Sequence, residues 1–333
     1  MRGRFRQTLA GLAACITTLH LATATPAAAQ SAATPLDFPS RPLTLVVPFP
    51  PGGPTDTGAR LVAKTLGRVL GQPVVVENRP GAGGTVGSTH VARAPADGYT
   101  LLWGSTSSLG VAPELYPNLE YHTLKSFEPV GLVGRAPILL TTRSDLPVND
   151  LKDFVAYSRN HDVAYGSAGN GSINHLAGEW LKEVAGFNML HVPYKGGAPA
   201  LADLLGGRVQ LTLETIAPIA SHLQAGTLKV LATTGGERFE ALPQVPTVKE
   251  LYGNDFEVYS WLGVVAPAGT PRTVVEKLNA ALREAQADPE LQAQMQAAGL
   301  TVMPTTTDEF AAFLKGEVDK WGALIRKTKP QIN

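Results

Sequence analysis

Residues 43–67 read LTLVVPFPPGGPTDTGARLVAKTLG, which joins an apolar run, a loop of prolines and glycines, and a segment of helical period. The run LTLVVPF (43–49) has the character of a buried strand. After the loop, Val62 and Leu66 recur at helical spacing. The stretch therefore predicts a strand followed by a helix, which is the repeating unit of α/β folds.

The loop between them offers a place for an anion. Gly52 and Gly53 carry no side chain that would keep a ligand away from the backbone. Thr55 and Asp56 are residue types that cap helices, so we expect the helix to begin there. The N-terminus of a helix presents unpaired N–H groups and a partial positive charge, which can hold a carboxylate without lysine or arginine. A capped turn that binds nothing is the alternative.

A second loop has the same order of features. VAYGSAGNGSINHLAGEWLKEVAG (163–186) runs from a strand through Gly166–Gly171 to a helix whose predicted N-cap is Ser172. Two such loops, one in each predicted domain, would face each other at the carboxyl ends of their strands, where open α/β sheets bind ligands. His175 lies in the first turn of this helix and either donates to a ligand or bonds back to the loop.

The strand–helix alternation continues over nearly the whole chain. Helical stripes of the kind that face a core recur at 62–70, 274–282 and 310–325. This predicts an α/β protein with parallel sheets in two doubly wound domains. The strand candidates are 43–49, 73–78, 99–104, 137–143, 163–168, 208–214 and 228–234.

Two apolar, extended segments suggest the domain boundaries. Segments 127–142 and 256–271 lack a flexible Gly/Ser run and could pass between domains as a paired hinge. Each could equally be one more core strand. With the hinge interpretation, domain I is discontinuous and domain II is inserted into it; the boundaries are 38–134 plus 262–333 for domain I and 135–261 for domain II.

The first 29 residues predict export. Three arginines precede an apolar stretch that ends in small residues, so we expect a signal peptide (1–29) that is cleaved after Ala29. A membrane anchor and lipid attachment at Cys15 are the alternatives. Cys15 is the only cysteine, and cleavage after Ala29 would leave the mature chain without a thiol or a disulfide. We therefore predict an exported protein.

Charge and motifs exclude several functional classes. Removing the three arginines leaves 25 basic residues against 28 acidic ones, so a nucleic-acid partner is not expected. GAGGTVG (81–87) does not have the spacing of a dinucleotide-binding loop. The histidines are scattered, and we expect no metal and no cofactor. A hydrolase using Ser172 and His175 is an alternative, although a serine at a helix cap has its oxygen occupied by backbone amides.

Two further residues in the second domain could contact a ligand. Tyr194, at the end of a strand, could offer its hydroxyl or pack half-buried. Glu214 follows strand 208–213 and is either a surface carboxylate or a group facing the cleft. In the cleft it would disfavour a second carboxylate on the ligand and favour an amino or hydroxyl group.

Taken together, the loops and their flanks resemble the Bug-type solute receptors, the extracytoplasmic component of tripartite tricarboxylate transporters. The resemblance extends from about Pro39 to Lys327. Seven pieces carry it in the family's order: PSRPLTLVVPFPPGGPTD, VVVENRPGAGGTVGSTHVARAPADGYTLL, SFEPVGLV, YGSAGNGSINHLAGE, VPYKGGAPALADLLGGRV, LPQVPTVKE and WLGVVAPAGTP.

The resemblance implies a two-lobed Venus-flytrap of the type 2 periplasmic binding protein fold, with no enzymatic activity. It further implies a monomer that binds a small organic carboxylate and presents it to two membrane subunits of the transporter. A carboxylate-binding protein without a transporter is the alternative. In similar proteins an aspartate is common at the position of Glu214. The implied ligand-binding residues are Gly52, Gly53, Thr55, Asp56, Ser105, Thr106, Ser107, Ser167, Ala168, Gly169, Ser172, His175, Tyr194 and Glu214.

Overall fold

The computed structural model describes residues 37–116, 118–253 and 255–328. The strands are β1 (Leu43–Val47), β2 (Val74–Asn78), β3 (Thr100–Ser105), β4 (Phe127–Pro137), β5 (Leu139–Arg143), β6 (Ala164–Ser167), β7 (Leu190–Pro193), β8 (Leu211–Glu214), β9 (Leu228–Thr233), β10 (Tyr259–Pro267) and β11 (Thr301–Val302). The helices are α1 (Pro54–Leu70), α2 (Thr85–Ala92), α3 (Ala112–Leu115), α4 (Thr123–Ser126), α5 (Leu151–Ser158), α6 (Ile173–Ala185), α7 (Gly197–Leu205), α8 (Ile216–Gln224), α9 (Val248–Tyr252), α10 (Arg272–Gln286), α11 (Pro289–Ala297) and α12 (Thr307–Thr328). A 3₁₀ turn spans Ala82–Gly84, and a π-helical turn spans Thr106–Val111.

The strands form two sheets, each of which is the centre of one lobe. Sheet I has the order β11-β4-β10-β3-β1-β2, and sheet II has the order β7-β6-β8-β5-β9. All seven strand candidates correspond to strands of these sheets, so the predicted α/β class is confirmed.

The expectation of purely parallel sheets is wrong. In sheet I, β10 runs antiparallel to both β3 and β4, and β11 runs antiparallel to β4. In sheet II, β5 runs antiparallel to β8 and β9. The physical reason is the connection between the sheets: β10 brings the chain back into sheet I beside the strand by which it left, so the two strands run in opposite directions.

Helices cover both faces of sheet I. Successive strand residues point to opposite faces, which separates Leu45 and Val47 on one side from Val46 on the other. The first set packs against α1, α10 and α11, and the second packs against α2 and α12. Burial on both faces explains why the strands read as continuous apolar runs.

Sheet II is covered in the same way. Leu211 and Leu213 of β8 face a core built with α5 and α6. Leu139 of β5 faces a smaller core with α7 and α8. Because side chains alternate along a strand, Thr212 and Glu214 lie on the face of β8 opposite to Leu211 and Leu213.

Segments 127–142 and 256–271 both contain strands and connect the two sheets. β4 pairs with β10 along its whole length, from Phe127 opposite Pro267 to Pro137 opposite Tyr259. Beyond Pro137 the chain passes through Ile138 into β5 of sheet II. The hydroxyl of Thr234 accepts the N–H of Ile138 and donates to the carbonyl of Val258, which ties the two passages together.

Helix α12 contacts both lobes. Phe310 and Leu314 belong to the core beside sheet I, whereas Trp321 and Leu324 pack into the core beside sheet II. Glu317, which is buried, accepts hydrogen bonds from the indole N–H groups of Trp261 and Trp321. The helix therefore packs across the two sheets, and the predicted domain boundaries, including the assignment of 262–333 to domain I, stay a prediction.

The expected signal peptide, the cleavage after Ala29 and the alternative lipid site at Cys15 lie outside the described residues. Within the described ranges, none of the helices combines the length and the apolar character needed to cross a bilayer.

Candidate functional site

The carboxyl ends of six strands bring the predicted site residues together in two groups. β1 is hydrogen-bonded in parallel to β2 and β3, so their last residues lie at one edge of sheet I. β6 is hydrogen-bonded in parallel to β7 and β8, and their last residues lie at one edge of sheet II. The segment Pro48–Gly53, called the first Gly loop, follows β1. The segment Ala168–Ser172, called the second Gly loop, follows β6.

The first Gly loop enters α1 through Gly53, which is the N-cap of the helix, with Pro54 in the first position. The expectation that Thr55 or Asp56 caps the helix is wrong. A proline suits the first helical position because its ring fixes φ and the missing N–H would have no partner there, so the helix begins before Thr55. The first intrahelical bond runs from the N–H of Thr57 to the carbonyl of Gly53. The N–H groups of Thr55 and Asp56 precede that bond.

Asp56 supports the first Gly loop through hydrogen bonds. Its Oδ2 accepts the N–H of Gly52 and the Nε–H of Arg60, each at 2.9 Å, and its Oδ1 accepts the amide of Asn78 at 2.8 Å. The Asn78 amide also donates to the carbonyl of Phe49. Burial opposes ionisation, but the hydrogen bonds from Arg60, Gly52 and Asn78 outweigh it and hold the pKa of Asp56 below its usual value. Asp56 thus engages the Gly52 amide internally.

Ser105, Thr106 and Ser107 differ in what their side chains do. Ser105 caps the π-helical turn and exchanges hydrogen bonds with Ser108. The hydroxyl of Thr106 donates to the carbonyl of Tyr259 and accepts the N–H of Trp261, so it joins this turn to the crossing strand β10. Ser107 is the only one of the three that is more than slightly exposed.

The second Gly loop is held by neutral groups. Ser172 is the N-cap of α6, as predicted; its hydroxyl accepts the N–H of His175 and donates to the carbonyl of Gly169. Gly169 and Gly171 adopt positive φ angles of 128° and 74°. The N–H of Gly171 donates to Nδ1 of His175 at 3.1 Å, so this ring nitrogen turns back to its own loop.

A second histidine, which the sequence did not single out, completes this support. The rings of His175 and His191 stack with centroids 3.9 Å apart and an angle of 10° between their planes. Nε2 of His191 lies 2.6 Å from the hydroxyl of Ser167, which accepts the N–H of Gly169. Burial lowers the pKa of His175, and burial together with the neighbouring His175 lowers the pKa of His191 to about 4. Both rings are therefore neutral at ordinary pH.

Tyr194 and Glu214 lie at the same edge of sheet II. The hydroxyl of Tyr194 donates to Asp203 at 2.7 Å, while its backbone N–H donates to the carbonyl of Ser167. Glu214 is half-buried. Burial raises the pKa of Glu214 to about 7, and a hydrogen bond from the backbone of Thr215 opposes the rise.

Tyr116 connects the surroundings of the two Gly loops. A Cβ added at Gly171 would lie 3.0 Å from its hydroxyl oxygen, and one added at Gly83 would lie 3.7 Å from it. The neighbouring Gly84 packs against Pro48 and Phe49 of the first Gly loop. The structure therefore brings the two loops to opposite sides of one region, with Tyr116 between them.

The sequence analysis did not single out Asn78, His191 or Tyr116, and of these only Asn78 could have been found. Asn78 ends β2, and the last residue of a strand parallel to β1 is bound to lie near the first Gly loop. His191 lies on β7 and reaches the second Gly loop through the register between β7 and β6, in which it pairs with Tyr165. Tyr116 leaves no such signal, because its place depends on how α3 packs between the lobes.

Backbone donors could hold an anion at this site. In both loops the helix N-terminus leaves N–H groups without an intrahelical partner, which suits an anion, and the supporting side chains are already hydrogen-bonded. Ser172 and His175 meet through the backbone N–H and not through the imidazole ring. Among the residues described, no cluster of three or more histidine, cysteine or acidic side chains could hold a metal ion.

Comparison with known proteins assigns the chain to a family. The family model described as "Tripartite tricarboxylate transporter family receptor" matches residues 58–329. The chain belongs to this family. Protein BugT of Bordetella pertussis is 38% identical over 317 residues, which cover 94% of this chain and 96% of that protein.

Solved structures of relatives show the same fold. The periplasmic binding protein BugD is 41% identical with a TM-score of 0.79, over 88% of this chain and 99% of that one. MatC (Rpa3494) from Rhodopseudomonas palustris, solved with bound malate, is 36% identical with a TM-score of 0.77, over 86% and 100% of the two chains. Rpa4515 of R. palustris, solved with adipate, is 34% identical with a TM-score of 0.81, over 88% and 99%. The predicted two-lobed periplasmic binding protein fold is confirmed, and the receptor is a periplasmic solute-binding protein.

Proposed function

We propose that this receptor captures a small organic carboxylate between its two lobes and presents it to the two membrane subunits of a tripartite tricarboxylate transporter. The observation that carries the proposal is the matched pair of Gly loops, one at the carboxyl edge of each sheet. Each loop leads into a helix longer than two turns, so each offers N–H groups in a favourable dipole field.

The donors we propose for the carboxylate are backbone amides. In the first lobe they are the N–H groups of Gly53, Thr55 and Asp56, which precede the first intrahelical bond of α1. In the second lobe they are the N–H group of Ala168 and those of Ile173 and Asn174, which precede the bond from Leu176 to Ser172. Ser107 and Tyr194 would line the cleft on either side. Asp56, Ser167 and His175 would act by holding the loops in place.

Closure of the lobes would link binding to transport. A ligand held by loops from both lobes stabilises the closed arrangement by its differential affinity for that arrangement. The paired passages at Ile138 and Val258 would act as the hinge. Membrane subunits that recognise the closed form would then distinguish loaded from empty receptor. The bound malate and adipate of two relatives support a carboxylate as the ligand.

The test is thermal unfolding of the periplasmic protein, unfolded and refolded to remove any co-purified ligand, against carboxylates and their matched amides. A ligand present at about 100 times its dissociation constant should add about 2.7 kcal/mol, a shift of several degrees. We expect a shift with at least one acid and none with its amide. Equal shifts with acid and amide, or no shift with any acid in folded protein, would contradict the proposal.

Delivery to a transporter has its own test. Proteoliposomes containing the two membrane subunits of a tripartite tricarboxylate transporter from the same organism should take up the radiolabelled acid only when receptor is added. Binding of the acid without such uptake would favour a receptor that acts without a transporter.

A further inference from the structure

Glu214 ends β8 beside the second Gly loop. β8 and β6 are parallel, with Gly166 opposite Thr212, so two residues further along each strand Glu214 lies level with Ala168. The carbonyl of Ala168 accepts the N–H of Gly196, which joins the loop to the start of α7. Glu214 is therefore a neighbour of the second Gly loop.

The space around the Glu214 carboxyl group is narrow and carries no compensating cation. A Cβ added at Gly197 would lie 2.4 Å from its Oε1, so the carboxyl group rests on the bare first turn of α7. In the part of the chain that the structure describes, Glu214 forms no ion pair. The hydroxyl of Thr212, on the same face of β8, is buried and has no hydrogen-bond partner among the described residues.

A residue of the first lobe also lies near Glu214. Ile216, two residues after Glu214, lies against Gly299, where an added Cβ would be 2.2 Å from its Cγ2. Gly299 precedes β11 of sheet I. Glu214 thus lies close to a contact between the lobes, at the end of a strand.

We propose that Glu214 contacts the end of the ligand remote from the bound carboxylate and selects carboxylates that carry a hydroxyl or ammonium group there over dicarboxylates. The inference rests on the proposed function. An ionised glutamate accepts hydrogen bonds from a hydroxyl or ammonium group and repels a second carboxylate. Because no cation beside Glu214 neutralises its charge, Glu214 would repel a second carboxylate on the ligand.

The probes for the test differ only at the remote end. Succinate, 4-hydroxybutyrate, 4-aminobutyrate and butyrate share one carboxylate and nearly the same length. The five- and six-carbon series, based on glutarate and adipate, extend the reach. Dissociation constants are measured by calorimetry at pH 8 for the wild-type protein, for Glu214→Gln and for Glu240→Gln, which removes an exposed carboxylate of the second lobe.

We expect that, at the length that fits, the hydroxy or amino acid binds the wild-type protein at least about tenfold more tightly than the diacid. Glu214→Gln should reduce this preference about tenfold, and Glu240→Gln should leave it unchanged. A preference for the diacid at every length, or an equal preference in wild-type and Glu214→Gln protein, would overturn the inference while leaving the carboxylate receptor intact. No binding by any acid would overturn the proposed function and the inference with it.

A second measurement needs no substitution. Between pH 6.5 and 8.5 the probes keep their charges, whereas Glu214, with its pKa raised to about 7 by burial, takes up a proton as the pH falls. The other titratable or charged side chains on the elements that pack against β8, or on the segments adjoining them, are Arg143, Tyr165, His175, Glu179, Lys182, Glu183, Tyr194, Lys195, Asp203 and His222. Lys195 is exposed, and Tyr194 is bonded to Asp203. The relative affinity for the diacid should therefore rise several-fold from pH 8.5 to 6.5 in the wild-type protein. A relative affinity that is independent of pH would count against the inference.

Discussion

The two Gly loops occupy equivalent places in the two lobes, yet different groups hold them. The first is fixed by an ionised side chain, Asp56, which accepts hydrogen bonds from Gly52, Arg60 and Asn78. The second is fixed by two neutral, stacked imidazole rings and by serine hydroxyls. The first loop is held by the Asp56 carboxyl group in its ionised form, and the second is held by the imidazole rings of His175 and His191 in their uncharged form. The same backbone geometry therefore has two different sensitivities to charge and to pH.

Substitution of Asp56 should have the largest effect. In Asp56→Asn, an NH₂ group replaces one of the two carboxylate oxygens. In one orientation of the new side chain this NH₂ group faces the N–H groups of Gly52 and Arg60, and in the other it faces the amide NH₂ group of Asn78, so one donor always meets another donor. Asn78 cannot turn over without losing its bonds to Phe49 and Arg60. We expect a loss of about 3 kcal/mol in the free energy of unfolding, measured by urea denaturation.

The control for this prediction is Asp319→Asn, which removes an exposed carboxylate paired with Lys315 on α12. Its effect should be far smaller, because exposed ion pairs contribute little. The pKa of Asp56 is lowered in the folded protein, so its contribution is present above the ordinary aspartate pKa and is lost as the pH falls through the folded value. Equal losses in the two variants at pH 7 would show that charge does not fix the first Gly loop.

A methyl group at Gly171 should have the next largest effect, because it tests the steric side of the second Gly loop. In Gly171→Ala the backbone would keep φ near 74°, and the new Cβ would lie 2.4 Å from the side chain of Leu115. Gly186→Ala is the matched control: its φ is 65°, but no atom lies within 4 Å of the added Cβ. We expect a loss of about 1 kcal/mol for Gly186→Ala and about 2 kcal/mol or more for Gly171→Ala. Similar losses of unfolding free energy in the two variants would indicate that Leu115 and Tyr116 move aside at little cost.

Local patterns in the sequence are sufficient for the strands and for the positions of the loops. Apolar runs such as 43–49 mark strands buried on both faces, and the glycines that follow mark the loops. The direction of β10 is not a local property, since it depends on the return of the chain from sheet II. The start of α1 is not where Thr55 and Asp56 suggest, because a proline in the first helical position makes Gly53 the N-cap.

The parts of the site that depend on side-chain contacts between residues far apart in the chain could not be predicted from the sequence. His175 and Ser172 are three residues apart, so their relation follows from the geometry of a capped helix. His191 meets Ser167 across 24 positions, through the pairing of two strands whose register the sequence does not state. The surroundings of Glu214 depend on α7, and its raised pKa depends on burial that only the folded chain creates.

The smallest predicted effect concerns the histidine pair and is seen only in its pH dependence. In the unfolded chain a histidine has a pKa near 6.5, whereas the pKa of His191 in the folded protein is about 4. Between these values the unfolded chain binds a proton that the folded chain does not, so stability falls as the pH falls from 6.5 toward 4. The slope for one buried histidine is at most about 1.4 kcal/mol per pH unit, and solvent screening of the half-buried ring reduces it.

His191→Gln should remove this part of the slope, because an amide can still meet the hydroxyl of Ser167 and does not titrate. From pH 7 to pH 5, urea denaturation should show the wild-type protein losing about 1 kcal/mol more than the variant. His161→Gln, at an exposed histidine stacked on Tyr157, should keep the wild-type slope. The same slope in His191→Gln as in the wild-type protein would show that this histidine does not contribute to the pH dependence of stability.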